Sequence, residues 1–176
     1  MTILLPSLYL TILFITLIII SLFLLKQIIR KQETEREFTY LQKKLKEGEM
    51  TCQDHYSLGV IYLSKKLFDQ SILQFSCALK TWDKNDRLQL ANLYNTIGFT
   101  YFETNQFDFS IFYYKKAIET LPNYVTAIKN LGYAYERKKL IPEAIEAYAT
   151  VLLYNQDDDI ANEKLLSLSK KARKSG

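Results

Sequence analysis

Residues 91–122 read ANLYNTIGFTYFETNQFDFSIFYYKKAIETLP. Tyr94, Ile97, Gly98 and Tyr101 stand at helical spacing, Ser110, Tyr114 and Ala117 do so again, and Pro122 closes the stretch. A segment of this kind predicts two short amphipathic helices joined by a turn, one complete unit of a repeat.

The same constellation lies on either side. Upstream it is His55, Leu58, Gly59, Tyr62, Ser71, Phe75 and Ala78; downstream it is Ile128, Leu131, Gly132, Tyr135, Ala144, Tyr148 and Val151. Gly59, Gly98 and Gly132 mark the register, 39 and then 34 residues apart. Five additional residues around Asp86–Leu90 are expected to lengthen one connection. A small residue at the glycine and at Ser71, Ser110 or Ala144 lets two helix backbones approach, and the aromatic beside it fills the remaining space.

These residues resemble the tetratricopeptide repeat, which carries an aromatic, Leu-Gly and Tyr in its first helix, then Ala, an aromatic and Ala in its second. The first position departs from the usual Trp, holding His55, Tyr94 and Ile128, and only the middle unit has the closing Pro. The expected fold is all-α: an N-terminal transmembrane helix, a three-unit tetratricopeptide solenoid and a C-terminal capping helix. The expected segments are an anchor at 1–26, a juxtamembrane helix or linker at 27–50, and units at about 52–85, 91–124 and 125–158 within 51–158. A capping helix and basic tail follow at 159–176.

The anchor is read from Ile3 to Leu25, 23 residues without a charge. At ~1.5 Å per residue such a helix crosses a ~30 Å hydrocarbon core. A cleaved signal peptide would have a basic start and a small-x-small exit, and neither stands here. Lys26, Arg30 and Lys31 follow the span with no charge before it, which directs the repeats to the cytoplasmic or equivalent side. A reducing compartment of that kind suits a chain with only two cysteines, Cys52 and Cys77, read as small packing residues. Phe38, Leu41 and Leu45 form one stripe of the juxtamembrane segment, read as a solvated spacer that caps the first repeat, with Gly48 as its stop.

At the other end Asp157–Asp159 suit a helix start and Lys170, Lys171, Arg173 and Lys174 its finish. Ile160, Leu165 and Leu168 are the expected apolar face of a helix that shields the last repeat from water. The acidic triplet reads as a cap rather than a metal site.

Five glycines, two cysteines and one histidine leave no Gly-rich phosphate loop, no nucleophile beside a base and no ligand cluster at metal spacing. No enzyme, no cofactor and no metal is expected, and His55 reads as a packing residue. The net charge of +4 is distributed among interleaved acids, and the aromatics sit at repeat core positions, so no nucleic-acid partner is expected either.

In tetratricopeptide arrays the first helices line a groove. The resemblance transfers its facing positions to Gln53, Tyr56, Val60 and Leu63, then Asn92, Asn95, Phe99 and Phe102, then Thr126, Lys129, Tyr133, Glu136 and Arg137. Arrays that clamp chaperone C-termini carry Lys, Asn and Arg at fixed places, where this chain has Tyr56, Val60, Thr126 and Asn130. An apolar groove with a charged third-unit rim suits instead an extended segment or helix with apolar anchors. The partner-binding residues expected are Tyr56, Val60, Leu63, Asn95, Phe99, Phe102, Lys129, Tyr133 and Arg137, with packing between units as the competing role for the aromatics.

The whole chain, not only its repeats, resembles a family of small plastid-encoded and cyanobacterial membrane proteins with an N-terminal anchor and three tetratricopeptide units. The resemblance rests on the anchor with its Lys26–Lys31 flank, on KKLFDQSILQFSCALKTWDKND at 65–86 and on LPNYVTAIKNLGYAYE at 121–136. It implies a non-catalytic factor on the thylakoid membrane, repeats on the stromal side, that holds photosystem I subunits or other assembly factors during assembly or stabilisation. An anchored receptor for protein import or targeting, or a general envelope scaffold, is the alternative.

Overall fold

The computed structural model describes residues 4–175, with side chains from Leu8 to Lys171. Among them are eight α-helices and no strand: α1 (Leu4–Glu47), α2 (Cys52–Ser64), α3 (Phe68–Thr81), α4 (Arg87–Glu103), α5 (Phe107–Thr120), α6 (Val125–Arg137), α7 (Ile141–Tyr154) and α8 (Asp159–Ser175). The chain divides into two units, the first ending at Glu49 and the second beginning at Met50.

Anchor and juxtamembrane segment, read separately from the sequence, form one uninterrupted helix of 44 residues. No proline or glycine stands between Pro6, in its first turn, and Gly48, so nothing breaks the backbone ladder where the composition changes from apolar to charged. Two threonine hydroxyls inside the apolar run are satisfied locally: Thr11 and Thr16 Oγ1 each donate to the carbonyl three residues back, at 2.8 Å. By length and composition this helix is able to cross a membrane. Gly48 ends it at φ 75°, and the Glu49 amide reaches back to the Lys44 carbonyl at 3.2 Å, closing a Schellman turn.

The second unit is three successive helix pairs, α2 with α3, α4 with α5 and α6 with α7, and α8 packs on α7. The close approach foreseen at the glycines occurs in every pair. Gly59 faces the Phe75 ring, Gly98 the Tyr114 ring and Gly132 the Tyr148 ring, and all three rings are buried. Every pair also turns in the same way. Lys66, Asn105 and Lys139 adopt φ of 58°, 59° and 62°, and the amides of Leu67, Gln106 and Leu140 each reach a carbonyl five residues back at 2.9 Å. These are Schellman turns repeated in register, two of them built on lysine rather than glycine.

Thr51 caps α2 through a capping box, its Oγ1 accepting from the Asp54 amide while its own amide donates to Asp54. The extra residues expected around Asp86–Leu90 to lengthen one connection are mostly helical. The loop after Thr81, residues 82–86, is little longer than the loops at 121–124 and 155–158, and Arg87–Leu90 form an extra turn at the start of α4, which runs to 17 residues against 13 in α2 and α6. Asp86 accepts from the Gln89 amide and stabilises the new turn, and Arg87 donates twice to the Thr120 carbonyl at the end of α5. The inserted residues thus tie both ends of the middle pair together.

Apolar clusters join each neighbouring pair, with Tyr114, Leu131 and Ala134 between the second and third. Phe75, Ala78, Trp82, Leu93 and Ile97 join the first and second pairs, and Ile128, Ala144, Tyr148, Val151, Ala161 and Leu168 join the third pair to α8. Ile160, expected on the α8 apolar face, is exposed, and the fully buried Ala161 stands there with Leu168 and the half-buried Leu165. A one-residue shift moves a helical position by about 100°, so Ile160 points away once Ala161 faces the core. His55 Nδ1 lies 2.7 Å from Gln74 Oε1, a polar contact between α2 and α3. Cys52 and Cys77 are free thiols, and Cys52 packs against the first core.

Candidate protein-binding face

The first helices of the pairs, α2, α4 and α6, are joined by a run of side-chain hydrogen bonds. Asn92 is its centre: its Nδ2 donates to Tyr56 Oη at 3.0 Å, and its Oδ1 accepts from Tyr124 Oη at 3.2 Å. One asparagine on α4 thereby links the first pair to the N-terminal edge of α6. Deeper in, Asn130 Nδ2 donates to Asn95 Oδ1 at 3.0 Å, and Asn95 is buried. A buried amide needs such a partner, and finding it fixes the register of α6 against α4.

The charged rim is committed as well. Lys129 pairs with Asp158 at 2.6 Å, and the other oxygen of Asp158 accepts from the Ala161 amide at 2.9 Å. The Lys129 bond, and next the backbone bond, hold the Asp158 carboxyl below the usual aspartate range. Glu136 accepts from Tyr148 Oη and pairs with Lys164 of α8 at 3.1 Å, and Lys164 also lies over the Tyr133 ring at 5.4 Å. Burial, and then the hydrogen bond to Glu136, raises the Tyr148 phenol pKa far above its ordinary value. Arg137 stacks over Phe107 at 4.9 Å and Phe102 at 5.7 Å and donates to Asn105 at 3.0 Å.

Of the nine residues expected on a partner site, six therefore have work inside the chain. Tyr56 packs against Phe75 and Trp82 at 5.8 and 5.9 Å, Asn95 is bonded to Asn130, Phe102 is held with Arg137, Lys129 is paired, and Tyr133 meets Tyr148 at 5.8 Å. Val60, Leu63 and Phe99 remain. Val60 and Phe99 are 38% and 40% exposed and occupy the same place in the first and second pairs, with Tyr133 at that place in the third. The face is an apolar stripe bordered by an amide and phenol ladder, more polar than the sequence suggested. Tyr124 and Lys164, members of this network, were not foreseen. The available signal was the set of asparagines at otherwise core-facing positions, which require partners.

Stacked helix pairs, each with a small residue under an aromatic and a Schellman turn between its helices, define a tetratricopeptide-repeat protein. The tetratricopeptide repeat family model matches residues 91–124. Among solved structures, MamA superposes with a TM-score of 0.72 at 20% identity, covering 81% of this chain and 80% of that one. The first tetratricopeptide repeat of Spaghetti (RPAP3), bound to the HSP90 peptide SRMEEVD, superposes at 0.63 with 18% identity, covering 70% and 94%.

Beyond that class, the chain belongs to the ycf37 family. It is 45% identical to ycf37 of Guillardia theta over 125 residues, covering 71% of this chain and 70% of that protein. It is 37% identical to ycf37 of Cyanophora paradoxa over 130 residues, covering 73% and 74%. It is also 32% identical over 124 residues to the chloroplastic tetratricopeptide repeat domain-containing protein PYG7 of Arabidopsis thaliana, covering 70% of this chain and 41% of the relative.

Proposed function

We propose that this protein is a membrane-tethered, non-catalytic scaffold that holds photosystem I subunits, or other assembly factors, while the complex is built or stabilised. In this reading α1 is the single span in the thylakoid membrane, and the basic flank at Lys26, Arg30 and Lys31 keeps the repeats on the stromal side. The observation that carries the binding role is the apolar stripe of solvent-exposed Val60 and Phe99 with half-buried Leu63, on a row of first helices where Tyr56, Asn95, Phe102, Lys129, Tyr133 and Arg137 are engaged within the chain. An apolar stripe between hydrogen-bonded borders suits an extended segment or a helix with apolar anchors. Similarity to a chloroplastic relative supports the compartment.

The test is mild-detergent copurification from native membranes with a C-terminal tag, comparing the natural chain with a Val60→Lys, Phe99→Lys double variant. Both positions are exposed, so circular dichroism should show an unchanged fold. Enrichment of photosystem I core subunits over photosystem II subunits with the natural chain, and their loss with the variant, is the expected result. Translocase components or unsorted precursors in place of photosystem subunits would overturn the assembly role in favour of an import receptor. Undiminished capture by the variant would remove the binding role from this stripe.

A further inference from the structure

We infer that the groove between α5 and α7, over α6, is a second docking site, which takes an aromatic side chain from a polypeptide segment carrying a basic residue close by. The inference follows from comparing two equivalent grooves within the chain. Between α3 and α5 the space is filled by Tyr113, which stacks on Tyr101 with ring centroids 5.5 Å apart and planes 9° apart, lies 6.3 Å from Tyr94, and packs against the Phe75–Trp82 core. One repeat on, Tyr135 and Ile128 stand where Tyr101 and Tyr94 stood, but the place of Tyr113 is taken by Ala147.

The missing ring leaves a cavity of about 450 Å³ floored by Ile118, Ile128, Leu131, Tyr135 and Ala147. An open groove of that size has the dimensions of a ligand site. The filled groove shows what the fold accepts there: a flat ring stacked on the tyrosine of the first helix.

The walls indicate what presents the ring. Phe109 and Phe112, which flank the filled groove, are replaced by Glu143 and Glu146. Among the described residues neither carboxylate has an ion-pair partner. On the facing wall the Lys115 ammonium is drawn over the Tyr135 ring at 5.9 Å. The rim is therefore acidic, and a basic side chain next to the inserted aromatic would complete it. This site lies apart from the Val60–Phe99 stripe and does not depend on what that stripe binds.

The test uses the full chain in detergent micelles and four labelled fourteen-residue amphipathic peptides, with Trp or Ala at one position and Arg or Glu four residues away, followed by fluorescence anisotropy. The Trp peptide with Arg should bind at least about tenfold more tightly than its Ala counterpart, as expected for a buried aromatic anchor. It should also bind more tightly than the Trp peptide with Glu. Ala147→Tyr, which copies the filled groove, should abolish that preference without lowering the thermal midpoint, and Val60→Lys, Phe99→Lys should leave it intact. Should Ala147→Tyr fail to fold, Glu146→Lys decides alone, by shifting the preference from the Arg to the Glu peptide. Equal binding of Trp and Ala peptides, an unchanged preference in Glu146→Lys, or free indole binding as tightly as the Trp–Arg peptide would each overturn the assignment.

Discussion

A methyl group placed on Gly98 would stand 2.7 Å from Cδ1 of the Tyr114 ring and 3.2 Å from the Ser110 carbonyl oxygen. Tyr114 is a fully buried side chain and cannot swing away, so α4 and α5 would have to separate. Gly98→Ala gains up to about 1 kcal/mol of helix propensity, against an overpacking cost of about 1–3 kcal/mol. A net loss of stability is expected, read as a lower urea midpoint, and the same holds for Gly59→Ala against Phe75.

Lys66 and Lys139 adopt the left-handed conformation that Asn105 takes in the middle pair. Such geometry costs a β-carbon-bearing residue about 1 kcal/mol or more relative to glycine, and asparagine tolerates it better. Lys66→Gly and Lys139→Gly should each raise the urea midpoint by the equivalent of about 1 kcal/mol, with a smaller gain for Asn105→Gly.

Ser71 and Ser110 occupy the same place in successive pairs, but their hydroxyls differ. Ser71 Oγ donates to the Gly59 carbonyl at 2.9 Å. Ser110 Oγ is buried and, among the described residues, has no partner in hydrogen-bonding geometry. Ser71→Ala should cost about 1 kcal/mol in chemical denaturation, whereas Ser110→Ala should be neutral or stabilising.

Asp158 joins the loop before α8 to Lys129 of α6 and caps the α8 amides. Asparagine keeps a capping oxygen for the Ala161 amide but loses the charge paired with Lys129, so Asp158→Asn should lower the thermal midpoint at neutral pH through the lost ion pair. Because the folded-state pKa is depressed, the contribution is complete above the ordinary aspartate value near 3.8 and disappears as pH falls through the lowered value. Midpoints of the natural chain and the variant should therefore converge only in that acidic range.

The repeat was legible because it rests on local rules: a glycine and an aromatic at fixed spacing mark each helix pair, and that spacing survives an insertion. The position of the insertion was less legible, since Arg87–Leu90 are as compatible with a loop as with a helical turn until Arg87 finds the Thr120 carbonyl. The binding face was the least legible. Inward placement follows from register, but whether Asn95, Lys129 or Arg137 is free depends on partners about 30 residues away, at Asn130, Asp158 and Asn105.

By itself the sequence determined the helical repeat, the long apolar N-terminal helix and the side chains offered to the first-helix face, because these follow from periodicity, turn chemistry and side-chain size along a local stretch. Only the tertiary structure decided which of those side chains are consumed by neighbouring repeats and which groove stays open. Hydrogen-bond partnership and cavity volume are properties of pairs brought together by folding, and Tyr113 and Ala147 differ in consequence only because two equivalent grooves surround them.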